Sequence, residues 1–177
     1  MATIRIINKQ NEQDINIKNE PFSLYGKLVP RYENGVWSYE AQLFGADAVG
    51  QMCFPDEGYC FDDMAENSVF IGAYDGKQCV GLAIMQDHFL KYMYLYDLKV
   101  NAAYRGKGLG KQLLQKAREV AAQRGYKGVY TIGQDNNLGA CLFYLNNGFY
   151  IGGLDTNCYR HTVQEDKKDV IFYSDID

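Results

Sequence analysis

The segment Tyr104-Arg105-Gly106-Lys107-Gly108-Leu109-Gly110 has the residue types and spacing in this chain most directly suited to chemistry. Glycine permits positive φ and close backbone approach. A Gly-rich turn leading into a helix therefore aims the free N–H groups of the first helical turn outward, where the dipole favours an anion. Arg105 and Lys107 add positive charge, so a pyrophosphate would fit. The pattern Arg-x-x-Gly-x-Gly is not the GxxxxGK[ST] of phosphate-binding loops, and the strand before it is not the first of a dinucleotide-binding unit. Taken alone, the turn is also compatible with a plain helix start bearing basic residues. Charge is segregated along the chain. From Lys99 to Lys127 basic residues meet the single acid Glu119, whereas Tyr32 to Gly76 has no Lys or Arg and includes Glu33, Glu40, Asp56 and Glu57. The basic stretch suits an anion and the acidic one a cation, although ordinary solvated faces would give the same runs. Cys53, Cys60, Cys79, Cys141 and Cys158 form no CxxC, and only His88 and His161 could join them. Neither a zinc site nor a disulfide framework is expected.

A scaffold must hold these groups. A chain of 177 residues, 47% of them hydrophobic, is enough for one domain with its own core. The longest uncharged run, Asn136 to Leu154, contains four Asn and four Gly and does not read as a membrane helix. The opening MATIRIINKQ lacks the apolar region of a signal peptide, so a cytoplasmic location is expected. Thr3 to Asn8 alternates as an edge strand would, and the aromatic-rich sixty residues or so that follow read as short helices and loops. Ser68–Tyr74 and Gln78–Asp87 flank Asp75-Gly76-Lys77, a hairpin signal. Tyr92–Val100 alternates, with Met93, Leu95, Asp97 and Lys99 expected on one face. Leu109, Leu113, Leu114, Ala117, Val120 and Ala121 recur at helical spacing, and this helix should run to about Gln123 and stop near Gly125. A strand Gly128–Gln134, a helix Asn137–Asn147 and strands Phe149–Leu154 and Asp169–Ser174 complete a mixed α/β domain with helices covering a sheet.

The strand DLKV, followed by NAAYRGKGLG, an amphipathic helix and NNLGACLFYLNNGF, resembles the GNAT superfamily of acyl-CoA-dependent N-acetyltransferases. The family signature Q/R-x-x-G-x-G/A is met by Arg105, Gly108 and Gly110, and its downstream pattern by Asn137, Ala140, Phe143-Tyr144 and Gly148-Phe149. The likeness covers Ser68 to the C-terminus. It implies a single GNAT domain over residues 1–177, with 1–67 a variable acceptor-side region and 68–177 the acetyl-CoA-binding core. The implied fold is a mostly antiparallel sheet of about six or seven strands, with a splayed central pair and helices on both faces. Within the superfamily, Gly152-Gly153-Leu154-Asp155-Thr156-Asn157-Cys158-Tyr159-Arg160 and the final Val170-Ile171-Phe172-Tyr173 are similar to streptothricin acetyltransferases. Those enzymes usually carry an acidic residue where this chain has Tyr96.

The resemblance implies specific roles. Acetyl-CoA would be the co-substrate, held by backbone groups of Leu98, Lys99 and Val100, by Arg105, Gly106, Lys107, Gly108, Leu109 and Gly110 at the pyrophosphate, and by Asn137 and Tyr144. The Leu98 N–H would stabilise the tetrahedral oxyanion, and Tyr144 would protonate the leaving thiolate. Asp97 is the side-chain candidate for meeting or deprotonating the amine, its alternative being a salt bridge with Lys99. Asp155, Glu40, Glu33, Asp56, Glu57 and the rings of Trp37 and Tyr39 are candidates for holding a small cationic acceptor. The leading acceptor is the β-lysine amine of streptothricin. A polyamine, an aminoglycoside-like drug, a protein amine, or a non-catalytic acyl-CoA-binding module are the other readings. No metal, nucleic acid or membrane partner is expected, and a homodimer is compatible with the family. Cys141 suggests an acyl-enzyme only weakly, because its helical position suits core burial.

Overall fold

The computed structural model describes residues 2–176. In chain order the strands are β1 (Thr3–Ile7), β2 (Phe22–Leu24), β3 (Gly26–Glu33), β4 (Val36–Leu43), β5 (Gly50–Met52), β6 (Ser68–Asp75), β7 (Gln78–Gln86), β8 (Tyr92–Val100), β9 (Gly128–Gln134), β10 (Tyr150–Asp155) and β11 (Asp169–Asp175). The helices are α1 (Phe61–Met64), α2 (Leu109–Gln123) and α3 (Leu138–Asn146), with short 3-10 turns between elements. No helix among the described residues is long and apolar enough to cross a membrane. The chain forms two compact units. One takes the N-terminal residues to Pro21, Cys53–Val129 and the end from Asp175, and the other takes Phe22–Met52 and Tyr130–Ser174. Of the seven strands in the mixed sheet, the first unit orders β1-β6-β7-β8, and the second orders β11 between β9 and β10, with β9 starting in the first.

In the first unit all three pairings are antiparallel. Gly76 closes the β6–β7 hairpin at φ 59°, as its Asp-Gly signal predicts. The register sets Ile7 against Phe70, Phe70 against Ile84 and Ile84 against Asp97. Ile7, Phe70, Leu82 and Ile84 make one face a core with Ile15, and Tyr59, Phe61 and Met64 pack on it. Helix α2 covers the other face with Leu113, Leu114, Ala117 and Ala121, all buried. Close packing at that interface needs Gly81: a Cβ there would lie 3.2 Å from Leu113 Cδ1.

β8 departs from simple alternation. Ile84 pairs with Asp97 but Met85 pairs with Leu95, so Tyr96 is an extra residue, a β-bulge. Cross-strand partners share a face and neighbours along β7 do not, so Leu95 and Asp97 lie on opposite faces. Met93 and Leu95 are buried on the α2 side, while Asp97 and Lys99 turn to the face shared by Ile84 and Leu82. The expected grouping of all four residues on one face is therefore corrected, because one inserted residue inverts every later side chain.

In the second unit β3 and β4, eight residues each, form a hairpin whose turn, Asn34-Gly35, has φ of 52° and 81°. β2 pairs with β5. These four strands correct the expectation of short helices and loops, although short helical turns do occur at Lys9–Asn16, Ala46–Ala48 and Phe61–Met64. Helix α3 packs on β3 so closely that a Cβ on Gly26 would sit 2.6 Å from Leu138 Cδ2 and 2.5 Å from the Gln42 carbonyl oxygen. The Leu28 N–H donates to the Asp135 carbonyl oxygen at 2.8 Å. Leu28, Leu138, Cys141, Phe149 and Phe172 form the buried interior. β10 and β11 pair antiparallel with a register shift at Gly152, which has no side chain and lets the Tyr173 ring lie against its backbone.

Candidate active site

The Gly-rich turn is built as its sequence requires. Gly106 and Gly108 have φ of 72° and 82°, and Gly108 caps α2 in the left-handed conformation. The first α-helical bond runs from the Gln112 N–H to the Gly108 carbonyl at 3.1 Å, so the N–H groups of Leu109, Gly110 and Lys111 precede it and have no helical acceptor. They form an anion cradle at the positive end of a fifteen-residue helix. Lys107 lies beside the turn with its ammonium 5.2 Å from the Tyr104 ring centroid. Arg105 is directed elsewhere. Its Nε donates to the Val100 carbonyl at 2.9 Å, Nη1 to the Pro21 carbonyl at 2.7 Å and Nη2 to the Glu20 carbonyl at 3.2 Å. The Glu20 carboxylate accepts from the Ala102 N–H. The guanidinium thus ties the end of β8 to the segment before β2, a role the motif alone does not reveal.

The parity of the β7–β8 ladder fixes where backbone groups point. The Asn101 N–H donates to the Val80 carbonyl at 2.9 Å, which makes Gly81/Val100 and Ala83/Leu98 the pairs that do not bond each other. Leu98 and Val100 therefore direct their N–H and C=O groups away from β7. Lys99 does the opposite and spends its backbone on Leu82. Of the three residues expected to offer backbone ligands, Leu98 has both groups turned outward, Val100 shares its carbonyl with Arg105, and Lys99 is committed to the ladder.

Asp97 lies in a charged cluster. Lys99 Nζ reaches Glu57 Oε2 at 2.7 Å and Asp97 Oδ2 at 3.0 Å. The Tyr59 hydroxyl donates to Asp97 Oδ2 at 3.1 Å, and Asn19 Nδ2 donates to Glu57 Oε1 at 2.9 Å. Burial pushes the Asp97 carboxyl above its ordinary range, and the Lys99 ammonium only partly offsets this. For Glu57 burial also pushes upward, but the bonds from Lys99 and Asn19 outweigh it and hold the carboxyl low. Burial first, then the charges of Asp97 and Glu57, raise the Tyr59 phenol. Tyr59 lies 38 positions from Asp97, and no local sequence signal joins them.

The second unit carries Tyr144, Asn137 and the expected acceptor residues other than Asp56, Glu57 and Asp97. Tyr144 is buried on α3 among Phe143, Phe149 and Phe172, with ring centroids 5.4–5.6 Å apart. Asn137 caps α3 by accepting the Ala140 N–H at 3.2 Å. Asp155 closes an Asx turn, accepting the N–H groups of Asn157 and Cys158 at 2.8 and 3.0 Å. Glu40 pairs with Arg31 at 3.0 Å on the exposed hairpin. Trp37 stacks obliquely on Tyr32 at 4.8 Å. The register puts Trp37 and Tyr39 on one face of the hairpin and Glu40 on the other, so the structure does not bring the expected rings and that carboxylate together. At the end of β9, Gln134 Oε1 and Asn136 Oδ1 are buried acceptors with no donor among the described residues. Cys141 is core: its thiol bonds the Gln134 carbonyl and burial pushes it up to about 12, which suits no acyl-enzyme. Among the described residues no group of His, Cys, Asp or Glu could hold a metal.

A helix start with free N–H groups, beside a strand with outward backbone groups on a mixed α/β scaffold, is an arrangement that could hold the phosphates and amides of an acyl-CoA. Residues 36–149 match the Acetyltransferase (GNAT) family. The chain belongs to that family and is an acyl-CoA-dependent N-acetyltransferase. It is 33% identical over 151 residues to streptothricin acetyltransferase A of Bacillus subtilis (strain 168), covering 85% of this chain and 87% of that one. It is 28% identical over 112 residues to the streptothricin acetyltransferase of Escherichia coli, covering 63% of this chain and 64% of that one. Among solved structures it is similar to a candidate streptothricin acetyltransferase of Bacillus anthracis str. Ames in complex with acetyl coenzyme A. That match has a TM-score of 0.87 at 22% identity and covers 100% and 99% of the two chains. It is also similar to a nourseothricin acetyltransferase, with a TM-score of 0.79 at 20% identity and 98% of each chain covered.

Proposed function

We propose that the protein moves an acetyl group from acetyl-CoA to the β-lysine amine of streptothricin by direct transfer in a ternary complex. The observation that carries this reading is the likeness to the Bacillus subtilis relative across 85% of the chain. The pyrophosphate would rest on the N–H groups of Leu109, Gly110 and Lys111, with Gly106, Gly108 and Lys107 shaping and charging the turn. Pantetheine amides would pair with the outward backbone of Leu98 and Val100, and Asn137 and Tyr144 would complete the cofactor contacts. The acceptor amine has an ordinary pKa of about 10.4, so only about one molecule in ~2,500 is neutral at pH 7, and loss of its proton to solvent or to Asp97 must precede attack. Its nitrogen then bonds the thioester carbon while the C–S bond breaks. The Leu98 N–H steadies the oxyanion, a task worth ~2.7–4 kcal/mol per donor. The Tyr144 hydroxyl gives its proton to the leaving thiolate. Acetylation removes one positive charge from a polycationic drug, and Asp155, Glu40 and Trp37 remain candidate acceptor contacts.

The test is acetyl-CoA-dependent mass gain on streptothricin, read by mass spectrometry for wild type and Tyr144→Phe. One acetyl group on the β-lysine amine, gained much more slowly by the variant, supports the reading. Acetyl-CoA binding without mass gain on streptothricin sinks it and directs the search to polyamines and protein amines.

A further inference from the structure

We infer that the outer edge of β4 is an interface at which a second copy of this chain adds its own β4 antiparallel, joining two hairpins into one four-stranded sheet. This interface lies outside the acyl-transfer chemistry and does not depend on the acceptor. Backbone parity identifies the groups involved. The two-residue turn Asn34-Gly35 makes Glu33/Val36 a bonded pair. Arg31/Ser38, Val29/Glu40 and Lys27/Gln42 therefore bond each other, whereas Tyr32/Trp37, Pro30/Tyr39, Leu28/Ala41 and Gly26/Leu43 do not. Two residues of β3 agree with that parity. The Leu28 N–H points outward and donates to the Asp135 carbonyl, and Pro30, which has no N–H, takes no bond from the ladder at a non-bonded position. On β4 the outward N–H and C=O groups belong to Trp37, Tyr39, Ala41 and Leu43, and no described residue bonds them.

An open edge invites another strand, and sheets blunt theirs with short strands, charges, prolines or bulges. Every other strand edge among the described residues is blunted in one of these ways. β1 has five residues with Arg5 at its centre, and β10 carries the register shift at Gly152. β2 and β5 have three residues each, and the outer edge of β3 has Pro30 between Lys27 and Arg31. β4 has eight residues, no Pro, Lys or Arg, and one charge, Glu40, which Arg31 pairs. Its Val36, Tyr39 and Leu43 side chains are exposed, with Tyr32 exposed beside them.

The edge is complementary to itself. Among antiparallel registers in which outward groups meet outward groups, only two-fold axes through Tyr39 or Glu40 pair most of β4, residues 36–42 or 37–43 respectively. The Glu40 axis sets two carboxylates directly opposite each other at the closest Cα spacing, ~4.5 Å, so charge rejects it. The Tyr39 axis sets Tyr39 against its own copy and Trp37 against the partner's Ala41, with about six N–H···O=C bonds between the strands. It also places the Ser38 hydroxyl, a donor, opposite the partner's Glu40. Trp37, Tyr39 and Ala41 then continue one face across the junction. Pairing consumes the long open edge, and Lys27, Pro30 and Arg31 guard the outer strands of the new sheet, so growth stops at two copies.

Sedimentation equilibrium of the full chain across a micromolar concentration series tests the interface and should show a reversible monomer–dimer equilibrium. Ala41→Pro removes one outward N–H from each copy at a position that does not bond β3, and should raise the dimer Kd at least about tenfold. Ser38→Glu, at an exposed position facing Arg31 within its own hairpin, sets a carboxylate opposite the partner's Glu40 and should raise Kd at least about twofold. Circular dichroism checks that both variants are folded, and if Ala41→Pro is not, Ser38→Glu decides alone. Tyr39→Cys reads the register: mild oxidation should join two copies through residue 39, identified by mass spectrometry of the digested dimer, with wild type as the control for the exposed Cys53, Cys60 and Cys158. A wild type that stays monomeric, whether or not an extended peptide binds its edge, overturns the inference. So does a dimer whose Kd is unchanged in the folded variants, or one in which residue 39 never joins its own copy. Acetylation of streptothricin bears on none of these outcomes.

Discussion

Gly108 is where one methyl group tests the proposed cofactor cradle. Its φ of 82° and ψ of 1° place it in the left-handed region, and an added Cβ would meet no atom within 4 Å. Space is therefore not what requires glycine; backbone conformation is. An L-residue there costs about 1–2 kcal/mol, and Asn, which tolerates the left-handed region, costs less. The penalty has two outlets. If the turn keeps its shape, Gly108→Ala lowers stability, and in a chain of this length about 1–2 kcal/mol corresponds to a fall in Tm of about 2–8 °C. If the turn relaxes, the N–H groups of Leu109, Gly110 and Lys111 lose alignment and acetyl-CoA binds through a minor conformer, raising Kd by up to about 5–30-fold. Calorimetric titration with acetyl-CoA and a thermal melt, run on wild type, Gly108→Ala and Gly108→Asn, measure both outlets. The alanine variant should show a deficit in one or a share in each, with asparagine between it and wild type. An alanine variant equal to wild type in both Kd and Tm would refute the conformational argument.

Gly26→Ala should destabilise by about 1–3 kcal/mol, because its Cβ would meet the Gln42 carbonyl at 2.5 Å and backbone cannot step aside; a denaturant melt measures it. Native protein should show three thiols reactive to a disulfide reagent, Cys53, Cys60 and Cys158, and five after unfolding, since Cys79 and Cys141 are buried. Arg124, donating from Nε at 2.9 Å, holds the Asp87 carboxyl below its ordinary value of 3.8, with help from the Tyr126 hydroxyl. A depressed folded pKa gives stability that is present above the ordinary carboxylate range and lost as pH falls through the lower native value. Melts at pH 7 and pH 3 should therefore show a smaller acid-induced fall in Asp87→Asn than in wild type.

Elements that signal locally were legible in the sequence. The β6–β7 turn, β8, α2, β9 and β11 lie where periodicity and turn residues put them, since each depends on a pattern a few residues long. The β3–β4 hairpin is masked in the sequence, although Asn34-Gly35 is the same kind of turn signal as Asp75-Gly76. Nearly all of β4 is exposed, so it has no buried alternation to mark it, and Pro30 interrupts the β3 pattern. The bulge at Tyr96 leaves no trace in composition, yet it decides which face Asp97 occupies. The cluster around that carboxylate is half legible: Asp97, Lys99 and Glu57 stand out by charge, whereas Tyr59 and Asn19 reach it only through tertiary packing. The Arg105 tether was hidden for the same reason, its partners Glu20 and Pro21 lying more than eighty positions away.

The second unit is assembled from two stretches, Phe22–Met52 and Tyr130–Ser174, separated in the chain by Cys53–Val129. On the ribosome the hairpin emerges before the segment whose Asp135 and Leu138 receive it. At ~5–20 residues per second, that intervening stretch alone takes about 4–15 s to synthesise. Throughout that interval Leu28, fully buried in the finished fold, stands on a nascent strand pair without the later segment that covers it. A hairpin that must wait benefits from a turn that closes on its own, and Asn34-Gly35 supplies one. Yield in cells should thus depend on translation speed and chaperone supply more steeply than the equilibrium stability of the mature protein would indicate.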